Sequence, residues 1–212
     1  MNIFLLKKTE KGFDFAFQHR PMMDEMINKY AGSNSAAIQF VENPKHNITI
    51  LFIGMPRIAR IYLKMLFQEK FQDIEQFDFS YIINSLKIDM IEYLEKIHQL
   101  RKNEKNHTIG FDGEIIIIVD NKAYHITSIM LIREINEYHD EFVPQGIIDN
   151  YDTKNGSLLN LLDDLVKVYD IHKQKENIFK IYGNTNDDYW SMSFFDGSVK
   201  KIRKEEFIWD LY

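Results

Sequence analysis

GFDGEIIIIVDNKAYHITSIMLIREINEYHDEFVPQ, residues Gly110 to Gln145, reads as a strand, a turn, a second strand and a third extended piece. The expected strands are Glu114–Val119, Ala123–Thr127 and about Met130–Ile135, with a turn at Asp120-Asn121-Lys122. His139-Asp140-Glu141 is read as a polar turn. The run Ile115 to Val119 is too apolar to have a wet face, so its strand should be central and covered on both sides.

Helical patterns flank this block. Upstream, Pro56 suits the first turn of a helix, and Ile58, Ile61, Tyr62, Met65 and Leu66 share one face as far as about Phe71. A second helix is expected over Phe79–Lys102, with a stripe from Ile82 to Leu100. Downstream, Ser157 opens a third helix that turns Leu158, Leu161, Leu162, Leu165, Val166 and Tyr169 inward.

The ends of the chain are rich in strand signals. Ile3–Leu6 and Phe13–Phe17 flank a Glu10-Lys11-Gly12 turn. Ala36–Val41 and Ile48–Ile53 flank a connection of turn formers, and Gly54 closes the second strand. Ile178–Tyr182 and Tyr189–Phe195 lie about an acidic turn, and Asp196-Gly197 leads to Val199–Ile202. Arg20 to Ser35 is ambiguous, with helix-like spacing at Met22, Met23, Met26 and Ile27 before a loop at Gly32-Ser33-Asn34-Ser35, and Asn150 to Gly156 reads as a loop.

Composition narrows the classes. The chain has 212 residues, 45% of them hydrophobic, with sixteen Phe and eleven Tyr to fill a core. A net charge of −6 argues against an extended phosphate-binding face, so no nucleic-acid partner is expected. Cysteine is absent, which excludes disulfides, thiolate metal sites and a cysteine nucleophile. No apolar run approaches the roughly 20 residues of a membrane helix. A soluble, cytoplasmic protein without a membrane partner is the expectation.

The element order excludes a simple alternating βα fold. It suits an α+β protein, a four-layer α-β-β-α sandwich with two antiparallel sheets, built as a single domain over 1–212. In this order, with ILFIGMPRIARIYLKMLF following the opening strands and GEIIIIVDNKAYHIT as a later hairpin, the chain resembles the N-terminal-nucleophile hydrolase fold, proteasome-subunit type. That family attacks with an N-terminal Thr, Ser or Cys whose α-amine is the base.

The residues that the resemblance calls for are mostly missing. The chain starts Met1-Asn2, and Asn is too bulky a second residue for routine Met removal. The first hydroxyl residue is Thr9, and self-cleavage there would remove the first strand. Gln18 or His19 stands nearest to the family's Asp, and the family's Lys has no counterpart before Ile48. Gly54 alone fits its role, a backbone amide near an oxyanion site. Asn2, His19 and Gly54 are the candidate cleft residues, and no catalytic, cofactor-binding or metal-binding residue is assigned.

Other constellations read as ordinary structure. The seven histidines form no helical metal-binding pair, and His125 is expected to be a satisfied histidine of the core or of a sheet face. Asp163-Asp164 point in different directions on a helix, and Asp187-Asp188 lie in a turn. Asp149, Asp152 and Asn155 lack the glycine and glutamate of a calcium loop. Lys200-Lys201-Ile202-Arg203-Lys204 is read as a solvated face. The tail Phe207-Ile208-Trp209-Asp210-Leu211-Tyr212 packs over the core or docks a protein partner.

The functional expectation is a non-catalytic assembly or binding module, a homo-oligomer that takes no cofactor. One rival is a hydrolase or peptidase with an atypical N-terminal site. A second is a small immunity or regulatory protein that binds a partner.

Overall fold

A computed structural model describes residues 3–19, 36–41, 43–53, 57–72, 84, 91–92, 113–127, 131–139, 158–168, 179–194 and 196–206. The first half contains β1 (Ile3–Thr9), β2 (Gly12–His19), β3 (Ala36–Val41), β4 (Ile48–Ile53) and helix α1 (Arg57–Gln72). Next come β5 (Glu114–Val119), β6 (Lys122–Ile126), β7 (Ile132–Ile135) and β8 (Glu137–His139). Helix α2 (Leu158–Val168), β9 (Phe179–Asn184), β10 (Tyr189–Phe194), β11 (Val199–Arg203) and a 3-10 turn at Lys204–Glu206 complete the order.

The strands form two antiparallel sheets. Among the described residues, one has six strands in the order β11-β10-β9-β2-β1-β8, and the other has five in the order β3-β4-β5-β6-β7. Strand β5 lies at the centre of the second sheet, and Ile115 to Val119 are all buried, as their apolar run requires.

Alternation decides what each strand contributes. Phe4, Leu6, Phe13, Phe15 and Phe17 of the first sheet meet Ile38, Leu51, Ile116 and Ile118 of the second in one inter-sheet core. The other face of β1 and β2, with Ile3, Leu5 and Ala16, packs under Leu161, Leu162 and Leu165 of α2. The outer face of the second sheet meets α1, where Phe67 stacks on Phe52 with ring centroids 6.0 Å apart. The layers are therefore helix, sheet, sheet and helix.

Turn chemistry closes the hairpins. Gly12 opens β2 at φ 129°, and a Cβ there would meet Asn186 Nδ2 at 2.8 Å. Asp120 takes φ 51° between β5 and β6, in the left-handed region that Asp tolerates better than most residues.

Some boundaries differ from expectation. Lys122 begins β6 and does not belong to the turn, and β7 begins at Ile132, two residues after Met130. The expected polar turn at His139 is instead the end of β8, and Asp140 and Glu141 lie outside the described residues. Strand β8 leaves the sheet of β7 and pairs with β1 in the other sheet, aligning Tyr138 with Leu6. Asn136 alone connects the two strands.

The expected helix Phe79–Lys102 lies outside the described residues except for Asn84, Ile91 and Glu92. These three are helical, off the expected stripe and exposed. The segment Arg20–Ser35, the Asp149–Asn155 group and the tail 207–212 also lie outside the described residues. Among the described residues, no helix is long and apolar enough to cross a membrane.

Candidate functional site between the sheets

Two of the three candidate cleft residues, Asn2 and Gly54, lie outside the described residues. His19 is the last residue of β2, with its backbone paired to Phe179 of β9. It marks the end of the sandwich at which β1 starts and β4 stops. The described residues bring two polar clusters together, one toward this end and one at the opposite end.

The first cluster sits on strands β5 to β8. The β5–β6 register aligns Ile116 with His125, which puts Glu114 on the same face and diagonal to the imidazole. His125 is 3% exposed. Its Nε2 lies 2.7 Å from Glu114 Oε2. Arg133, aligned with His125 on β7, donates from Nε to His125 Nδ1 at 3.2 Å. Tyr138 reaches over from the first sheet and donates to Glu114 Oε2 at 2.7 Å.

Electrostatics in this cluster is largely self-compensating. Hydrogen bonding from His125 holds the Glu114 carboxyl below its ordinary range; burial opposes this, and Tyr138 and Arg133 reinforce it. Because Nδ1 accepts from Arg133, the neutral ring carries its proton on Nε2 and donates to Glu114. Both ring nitrogens are thus in use. The ring also meets Tyr138 edge to face, with centroids 5.2 Å apart.

The second cluster joins the β1–β2, β3–β4 and β9–β10 turns to the 3-10 turn at the far end. Lys204 Nζ donates to Asn47 Oδ1 at 2.5 Å and to the Thr185 carbonyl at 2.6 Å. It also stands 4.7 Å from the centre of the Phe40 ring. Burial pushes the Lys204 ammonium down to about 8, while Asp188, Asp187 and Glu205 pull it back up. Asn47 donates to the Thr185 carbonyl and to Asn186 Oδ1. Asn186 reaches the carbonyl of Lys11, and Asn184 donates to Thr9 Oγ1 and Asp14 Oδ1.

Lys204 corrects the reading of residues 200–204 as a solvated face. Lys200, Lys201 and Arg203 are exposed, but Lys204 is buried because the 3-10 turn folds it back between the sheets. No local period signals this, since its partners Asn47 and Phe40 are more than 150 residues away in sequence. His125 matches its expectation as a satisfied sheet-face histidine. Glu114, Arg133 and Tyr138 were not expected as its partners. The hairpin register alone points to Glu114, whereas Tyr138 depends on the unforeseen strand β8.

The acidic pairs behave as their positions imply. Asp163 of α2 pairs with Lys180 of β9, while Asp164 is exposed. Among the described residues, no group of three or more His, Asp or Glu side chains is arranged to hold a metal ion.

Comparison with known proteins gives a relation of fold. No family model matches the chain, and no curated protein does. A solved structure of an Anbu mutant from Hyphomicrobium sp. strain MC1 is similar to it, with a TM-score of 0.51 at 8% sequence identity. The match covers 97% of this chain and 88% of that one. Anbu is an Ntn-hydrolase-like, proteasome-related protein. The chain shares that fold distantly.

Proposed function

We propose that this chain is a single-domain, non-catalytic member of the proteasome-like fold that works as a binding or assembly module, as a homo-oligomer in the cytoplasm. The observation that carries the reading is the placement of Thr9. This first hydroxyl residue ends β1 at the turn, at the opposite end of the sandwich from the β4 terminus at Ile53. Its Oγ1 donates to the Gly12 carbonyl and accepts from Lys11 N and Asn184 Nδ2. Cleavage before Thr9 would strip β1 from between β2 and β8 and with it Phe4 and Leu6 from the core. A nucleophile is not released by dismantling the sheet that must hold it.

Intact mass measurement of the untagged protein tests the reading. Under denaturing conditions the expected mass retains all of β1. Under native conditions the expected mass is a multiple of the chain. Removal of residues to expose Thr9 or another hydroxyl residue would restore the hydrolase reading. A full-length monomer would leave binding of a different protein and overturn self-assembly.

A further inference from the structure

We propose that His125 is a proton-operated catch, in which uptake of one proton on acidification expels the Arg133 guanidinium from the inter-sheet cluster and loosens strand β7. The geometry sets up two exclusive states. In the neutral state, Nδ1 holds a lone pair that accepts from Arg133 Nε at 3.2 Å, and Nε2–H faces Glu114 Oε2 at 2.7 Å. A proton taken from solvent can enter the ring only at Nδ1, because Nε2 already carries one. That proton ends the acceptor role of Nδ1. It also leaves two N–H donors face to face and two like charges within hydrogen-bonding distance.

Which partner leaves follows from position. Glu114 stays, since an imidazolium strengthens its pairing and Tyr138 holds the same oxygen from the other sheet. Arg133 lies on an exposed position of β7, so its guanidinium can move into water at little cost. Strand β7 has four residues and, among the described residues, stands at the sheet margin, paired to β6 alone within its sheet. Among the described residues, the charged and titratable groups facing the ring are Glu114 from β5, Arg133 from β7 and Tyr138 from β8. Tyr124 and Glu134, one position along β6 and β7, are aligned with each other and alternate to the opposite face.

The test is an NMR titration of the labelled full-length chain from about pH 8 to about pH 5, the range in which imidazoles change charge. The expected starting point is the Nε2–H tautomer of His125 with an unprotonated Nδ1. On acidification, protonation of His125 should coincide with loss of the bonded Arg133 Nε–H signal. Amide protection across Ile132–Ile135, corrected for intrinsic exchange, should fall by about tenfold. His125→Gln supplies an acceptor for Arg133 and a donor for Glu114 without a titrating ring, so its β7 protection should be flat with pH. Arg133→Met should show at neutral pH the low β7 protection that the wild type shows only in acid. The proposal is overturned if His125 titrates while Arg133 and β7 stay unchanged. An Nδ1–H tautomer at the upper pH limit also overturns it, as does an Arg133→Met protein with wild-type protection.

Discussion

Trp190 lies against Gly183, with its Cδ1 2.8 Å from the point a Cβ on that glycine would occupy. The indole is fully buried, meets Phe15 edge to face and donates from Nε1 to the Asn184 carbonyl at 2.9 Å. A bare backbone on β9 is therefore what lets the Trp190 indole come this close to its neighbouring strand. Gly183→Ala is expected to cost about 1–3 kcal/mol, as overpacking does in a filled core. Urea denaturation measures it, and an unchanged midpoint would show that the indole shifts freely.

Lys204 predicts a pH dependence of known sign. Burial holds its folded value at about 8, against 10.5 for the unstrained group. The unfolded chain therefore binds more protons between these values, so this group's contribution to stability rises with pH across that window. The contribution is full above the unfolded value and is lost as pH falls through the folded one. Stability of wild type relative to Lys204→Met should climb across this window. A flat difference would mean that the ammonium is as well solvated in the fold as outside it.

Removing the same side chain has a second effect. Lys204→Met leaves Asn47 Oδ1 without its ammonium donor and takes one donor from the Thr185 carbonyl. The expected loss near neutral pH is about 1–3 kcal/mol, read from chemical denaturation.

Glu114 predicts a slope of the same sign in acid. Its carboxyl is held below 4.5 in the fold, chiefly by its hydrogen bond from His125. A lowered carboxylate contributes stability above the unfolded value and loses it as pH falls through the folded one. Glu114→Gln should therefore be less stable than wild type at neutral pH, with the gap narrowing below pH 4.5. Paired denaturation curves check this, and a gap that persists in acid would assign the cost to packing.

Phe67 tests the outer layer. It is fully buried on α1 between Phe52 and Phe71, so Phe67→Ala should cost about 3–5 kcal/mol by thermal or urea denaturation. A smaller loss would mean that α1 settles onto the sheet and fills the void.

The order of layers is legible in the sequence because it rests on local signals. Isoleucine runs mark β5, and turn formers mark the hairpins on either side of it. The Leu161, Leu162 and Leu165 spacing marks the buried face of α2. Strand β8 is not legible, because Glu137-Tyr138-His139 is too short to show a period and its partner β1 lies some 130 residues away. The buried role of Lys204 is hidden for the same reason: a basic run looks solvated until a distant loop covers one of its members. His125 could be read as a satisfied histidine from its strand. Its cation could not, since Arg133 meets it only through the β6–β7 register.

The single-residue passage at Asn136 gives the sandwich an unequal pair of margins. On that side β7 and β8 run from one sheet into the other like the spine of a book, backed by the Tyr138–Glu114 bond. On the other side the leaves are held by the grip of Lys204 on Asn47 and Phe40, and among the described residues no peptide bond crosses from sheet to sheet at that point. A force or solvent that parts the sheets will therefore work from the Lys204 side, wetting Phe40 before Phe4. The spine keeps the leaves in register while they part, so closing again needs no search for the partner sheet.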